Sequence, residues 1–126
     1  LNIEFNDKTP IYIQIMDLIK SDIVSGKIKI GDKLPSVREL ATMLKVNPNT
    51  LQRTYQELER EGIVYTQRGM GTFVKEEKGI MANLKKEMAK QIIEEFMYKM
   101  KNLGFNSKEI ANVISEEALK EESING

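Results

Sequence analysis

The sequence contains no cysteine and no histidine. Without cysteine there is neither a disulfide nor a thiol nucleophile, and the chain is read as a cytoplasmic bacterial protein. Without histidine, the commonest general base and the commonest transition-metal ligand are both missing. Carboxylates do not fill the gap. Glu94–Glu95, Glu116–Glu117 and Glu121–Glu122 are chain neighbours, and neighbours on a helix point to different sides rather than converging on one site. The chain is therefore read as a non-enzyme, with no catalytic residue, metal or cofactor. No apolar run approaches the roughly 20 residues of a membrane-spanning helix, and no stretch has the form of a signal peptide. A surplus of either charge is also lacking, because 19 Lys and Arg balance 19 Asp and Glu. Taken alone, that balance argues against a nucleic-acid partner.

The charges are unevenly placed, however. Residues 27 to 75 carry nine Lys/Arg against five Asp/Glu, whereas residues 76 to 126 carry eight Lys against ten Glu. All four arginines (Arg38, Arg53, Arg60 and Arg68) lie in the first stretch. Arginine is the side chain suited to bidentate recognition of phosphates and guanine edges.

The three prolines punctuate the first half. Thr9-Pro10 predicts a cap and first helical residue, followed by a helix over 10–25 with Ile11, Ile15, Ile19 and Ile23 on one face. Gly26 ends it. "KIKIGDKLP" is too short and too bounded by Gly and Pro for a helix, and reads as a connector with room for a short strand. Ser36, with Glu39 three residues on, predicts a capping box for a second helix that buries Val37, Leu40, Ala41 and Leu44. Asn47 and Pro48 then open a third helix, with Leu51, Tyr55 and Leu58 inward and Gly62 closing it. Only Lys45 and Val46 separate the two, which is helix–turn–helix spacing.

Beyond Gly62 the period becomes strand-like. "IVYT" and "TFVK" flank "QRGMG", predicting a β-hairpin whose glycines allow positive φ. Tyr55, Leu58, Ile63, Tyr65 and Phe73 are assigned to the core. "KEEKG", residues 75–79, reads as a hinge. Met81, Leu84, Met88, Ile92, Phe96 and Met100 then recur at spacings of three and four, an apolar stripe ended by Gly104. Asn106 or Ser107 caps a last helix with Ile110, Val113, Ile114 and Leu119 inward. Two such helices cannot sustain a core alone, so the stripe predicts a partner surface, most simply a second copy of the chain. The expected fold is mainly α with a small β-hairpin. A winged helix–turn–helix (residues 1–76) precedes a two-helix dimerisation arm (residues 77–126).

The entrance to the third helix is over-supplied with polar residues. Asn47 caps and Pro48 sets φ, which leaves Asn49, Thr50, Gln52 and Arg53 on a helix whose inner face is apolar. Amides and guanidinium groups near the start of such a helix suit base edges in a major groove. The plainer reading of each one is ordinary polar surface.

The stretch from Gly31 to Val74 also resembles the winged helix–turn–helix of the GntR family of bacterial transcription regulators. Its landmarks "LPSVRELA", "V-N-x-x-T", "Y-x-x-LE-x-EG" and "R-G-x-GTFV" occur in order. The short two-helix arm resembles the YtrA-like branch of that family. The resemblance implies DNA contacts from Ser36 and Arg38 at the second helix. It implies others from Asn47, Asn49, Thr50 and Gln52 on the recognition helix, and from Arg68, Gly69 and Gly71 at the wing tip. Arg53 has two readings, a DNA contact or an ion pair with Glu57 one turn on. Pro48 and Met70 stand where the family offers polar or cationic contacts, which removes those contacts here. The resemblance further implies a repressor that binds a palindromic operator as a homodimer. It places that operator ahead of its own operon, often one for an ATP-binding-cassette transporter.

The methionines Met81, Met88, Met97 and Met100 either line an adaptable pocket for a small-molecule effector or form dimer core. The competing functional reading is a winged-helix protein-interaction module without specific DNA binding. It predicts no steep salt dependence with DNA.

Overall fold

A computed structural model describes residues 1–77 and 79–125 of the chain. Five helices and one hairpin follow in the order α1 (Ile11–Val24), α2 (Val37–Leu44), α3 (Pro48–Arg60), β1 (Val64–Gln67), β2 (Gly71–Val74), α4 (Ile80–Asn102) and α5 (Ser107–Asn125). Among the described residues this is the mainly α, winged helix–turn–helix architecture expected from the sequence. By their internal packing the residues form two compact units, Leu1–Lys85 and Lys86–Gly126. Lys78, within the hinge expected over 75–79, lies outside the described residues.

In the first unit α1 presents Ile15, Met16, Ile19 and Ile23 to the core. Its start differs from the expectation. Pro10 has ψ 140° and stands outside the helix, and no side chain caps the end. Pro10 takes the cap position itself, its carbonyl accepting the first helical bonds from the Ile13 and Gln14 amides. Gln14 does the tethering instead: its Nε2 donates to the carbonyl oxygens of Thr9 (2.6 Å) and Asn6 (3.0 Å), and its Oε1 accepts from the Asn6 amide. Ile11 remains exposed, so the buried face begins one turn later than the stripe suggests.

The start of α2 follows local chemistry closely. The Glu39 amide donates to Ser36 Oγ (3.1 Å) and the Ser36 amide to Glu39 Oε1 (3.2 Å), a complete capping box. At its end Lys45 turns the chain with φ 57°, ψ 47°. This left-handed conformation is costly for a residue with a Cβ. The turn is secured because the Val46 amide donates to the Ala41 carbonyl at 3.0 Å. Asn47 then caps α3 by accepting from the Asn49 amide at 2.8 Å, with Pro48 at the first helical position.

Helix α3 packs on both α1 and α2 through Leu51, Thr54, Tyr55 and Leu58, all buried. Thr54 is wholly buried yet satisfied, since its hydroxyl donates to the Thr50 carbonyl at 2.8 Å. With Leu40, Leu44, Val64 and Val74, these residues form one apolar core. Each large aliphatic side chain buried there contributes about 1.5–3 kcal/mol relative to exposure.

The strands β1 and β2 pair antiparallel with Tyr65 opposite Phe73 and Gln67 opposite Gly71. The connector before α2 adds a third edge. Gly31 donates to the Val74 carbonyl, Val74 to that of Asp32, and Leu34 to that of Thr72, with Lys33 bridged to Phe73. The core assignments of Tyr65 and Phe73 are corrected, Phe73 being half-buried. Tyr65 is 42% exposed and its ring stacks on Phe73, centroids 5.7 Å apart. In a two-stranded hairpin only one face meets the helices, and Val64 and Val74 occupy it.

In the second unit, Gly104 (φ +96°) ends α4, and of the two cap candidates Asn106 caps α5. The Glu109 amide donates to Asn106 Oδ1 (2.9 Å) and the Asn106 amide to Glu109 Oε1 (3.0 Å). Among the described residues of this unit only Ile110 is buried. Ile92 (66%), Leu103 (73%), Ile114 and Leu119 stay exposed.

Candidate nucleic-acid interface

The outward face of α3 follows from its inward one. Leu51, Tyr55 and Leu58 lie inside, so a period of 3.6 residues places Asn49, Gln52, Arg53, Gln56 and Arg60 on the opposite side. All five are exposed. Thr50, half-buried, uses its backbone carbonyl to hold Thr54. The side chains of Asn49, Gln52 and Gln56 form no hydrogen bond among the described residues, so their amide donors and acceptors are free for an external partner. Asn47 Oδ1 is already committed to the Asn49 amide, which leaves its amide nitrogen available.

Gln56 was not anticipated as a site residue. Its signal was present, four residues after Gln52 and three after Arg53 on the same outward stripe.

Arg38 projects from the first turn of α2, exposed, and its guanidinium has no hydrogen-bond or ion-pair partner among the described residues. Ser36 just before it is occupied with capping. The Ser36 side-chain and backbone hydrogen bonds, with nearby Lys33, hold the Glu39 carboxyl below its ordinary range. Glu39 is thus committed to the helix end rather than to Arg38. Ser36 retains a hydroxyl proton with which it can donate.

Of the two readings of Arg53, the ion pair with Glu57 does not form. Glu57 pairs with Arg60 instead. The Arg53 guanidinium carbon lies 3.9 Å from the centroid of the Tyr12 ring on α1.

The hairpin turn carries Arg68, Gly69 and Met70, all exposed, closed by the Met70 amide donating to the Gln67 carbonyl at 2.9 Å. Gly69 and Gly71 have φ of +80° and +125°. At Gly71 a Cβ would stand 2.6 Å from Lys33 Cε. The flexible Lys33 end can move aside, but the φ of +125° still calls for glycine at that position, and the turn presents a cation at its tip.

In the stripe on α4, Leu84 is buried, Met81, Met88 and Met100 are half-buried, and Ile92 and Phe96 are exposed. A groove of about 330 Å³ lies within the second unit, lined by Phe96, Val113, Ile114 and Ala118 and edged by Glu117 and Glu121. None of the four methionines lines it. Among the described residues no cluster of acidic side chains is arranged to hold a metal ion, and no helix is long and apolar enough to cross a membrane.

A model of the family described as bacterial regulatory proteins, gntR family, matches residues 11–74. The HTH-type transcriptional regulator YhcF of Bacillus subtilis is 49% identical over 107 residues, 85% of this chain and 88% of that protein. The HTH-type transcriptional repressor YtrA of the same organism is 45% identical over 100 residues, 75% of this chain and 77% of that one. A solved structure of a GntR family transcriptional regulator from Listeria monocytogenes matches with a TM-score of 0.80 and 46% identity. It covers 89% of this chain and 98% of its own.

Proposed function

The chain belongs to the gntR family of bacterial regulatory proteins, with YhcF and the repressor YtrA among its relatives, and from this we propose that it is a cytoplasmic repressor that binds a palindromic operator as a homodimer. The outward row of α3 carries the proposal. Asn49, Gln52 and Gln56 hold their amides free on a helix whose other face is locked into the core. Amides in that position suit the paired donor and acceptor of adenine in the major groove, and Arg38 suits guanine or a phosphate. Ser36, Asn47 and Thr50 are assigned to phosphate and groove-edge contacts beside them. Arg68, exposed at the turn just before Gly69 and Gly71, suits a narrow minor groove.

Dimerisation is assigned to the arm. Its second unit buries little within itself while Ile92, Phe96, Leu103 and Leu119 face out, and a soluble chain covers such a surface with a partner. Met81, Leu84, Met88 and Met100 complete the proposed interface, Leu84 from a position already covered within its own chain. A two-fold pair of recognition helices places half-sites about 34 Å apart, or a multiple of that. By analogy with the YtrA-like branch, the operator precedes the chain's own operon, one for an ATP-binding-cassette transporter. A small-molecule effector would act by changing the angle between the two heads.

Selection of bound duplexes from a random pool, repeated with Asn49→Ala and Arg38→Ala, tests the reading. One enriched palindrome that both variants lose is expected. No enrichment with the wild-type chain would favour a protein-interaction module instead.

A further inference from the structure

Arg53 lies at the sixth position of α3, beyond the first turn that carries Asn49. Its guanidinium is drawn sideways onto the Tyr12 ring of α1, 3.9 Å from the centroid, rather than extended away from the helix axis. The ring takes one flat face of the cation. The N–H edge stays free, because Arg53 has no hydrogen-bond or ion-pair partner among the described residues and Glu57 is engaged with Arg60. Arg53 is thus an exposed, unneutralised cation with unused donors and a rotamer restricted by an aromatic plate.

We infer that Tyr12 is a positioning residue that holds Arg53 for a phosphate of the DNA backbone, not for a base edge. An arginine that reads a base must reach along the groove floor. One folded back onto a neighbouring helix faces the groove wall, where the phosphates run. The guanidinium fork matches a phosphate's oxygens. Restricting it beforehand removes ordering cost at the moment of binding. Tyr12 is half-buried and stands at the second residue of α1, and that end of a helix favours an anion.

This inference rests on the DNA-binding reading above. The test titrates the full chain against its selected duplex and an unrelated duplex over a range of salt concentrations. The variants are Arg53→Met, Tyr12→Phe, Tyr12→Leu and the double variant Tyr12→Leu/Arg53→Met. A phosphate contact predicts that Arg53→Met lowers affinity equally on both duplexes. It also makes the slope of log K against log salt shallower by about 0.9 for each copy of α3 on the DNA. Tyr12→Leu should weaken both duplexes by about two- to tenfold for each copy of α3 on the DNA, the ordering cost that the ring had removed. Tyr12→Phe, which keeps the ring, should bind as the wild type does. The double variant should be no weaker than Arg53→Met alone.

Should Tyr12→Leu lower the melting temperature, the Phe variant and the double variant still decide the matter. Equal binding by wild type and Tyr12→Leu would overturn the positioning role. Relaxed preference at one base pair in Arg53→Met, with the salt slope unchanged, would overturn the phosphate assignment. A wild-type chain that binds no duplex would overturn the DNA-binding reading and this inference together.

Discussion

The Tyr55 hydroxyl on α3 donates a 2.6 Å hydrogen bond to the carbonyl oxygen of Pro35, the residue before the α2 cap. The bond ties the recognition helix to the entrance of the helix that carries Arg38. Burial, with Glu39 nearby, pushes the Tyr55 phenol above its ordinary value of 10.0. Tyr55→Phe is expected to cost about 1–2 kcal/mol in urea unfolding near pH 7, since the carbonyl loses its donor. The sign with pH is definite. A raised folded-state value gives stability fully present below pH 10 that is lost as pH rises beyond it. The Phe variant should lack that alkaline loss.

At acid pH the capping box responds in the opposite sense. Glu39 is held below its ordinary value of 4.5 chiefly by Ser36, so its contribution is present above that value and is lost as pH falls through the lowered one. Glu39→Gln should flatten this part of a melting-temperature profile between neutral and acid pH. Ser36→Ala should lower stability by about 0.5–2 kcal/mol near neutral pH and by less once Glu39 is protonated, because the Ser36 hydroxyl favours the ionised carboxylate.

Lys45 holds φ 57° at the helix–turn–helix corner. The left-handed conformation costs a residue with a Cβ about 1–2 kcal/mol, partly offset on replacement by glycine's greater unfolded freedom. Lys45→Gly is therefore expected to raise unfolding stability by about 0.5–1 kcal/mol. Lys45→Val should lower it. Chemical denaturation of the two variants checks both signs.

At the wing, Gly71→Ala meets both a φ of +125° and Lys33. Gly69→Asn meets open space at φ +80°, which asparagine tolerates. The first should destabilise by about 1 kcal/mol or more and weaken DNA binding. The second should leave stability near wild type, as read by thermal melts beside a binding titration.

Ile92→Glu tests the arm. The side chain is 66% exposed, so a charge there should not unfold the chain. Sedimentation should find monomers, with unchanged circular dichroism and a weakened grip on a full palindrome. A variant that stays dimeric would remove Ile92 from the interface.

The local chemistry of helix ends and faces follows from the order of residues alone. Ser36 with Glu39, Asn47 with Pro48, and the glycines at 62, 69 and 104 act within four residues of chain, where partners are set by spacing alone. The outward row of α3 was legible for the same reason, because an apolar face at 3.6-residue period defines its opposite. Partners far apart in the chain were decided only by tertiary packing. Arg53 had Glu57 within reach along its own helix, yet it lies on Tyr12 while Glu57 takes Arg60. Lys33 joins Phe73 because the connector closes onto β2, and Tyr65 faces out because valines fill the covered side of the hairpin. The left-handed turn at Lys45 is short-range by contrast, held by bonds from the Lys45 and Val46 amides to the carbonyls of Ala41 and Thr42. Helix caps and periods are short-range and can be read one segment at a time. The choice between two partners of similar strength depends on which surfaces the folded core brings together.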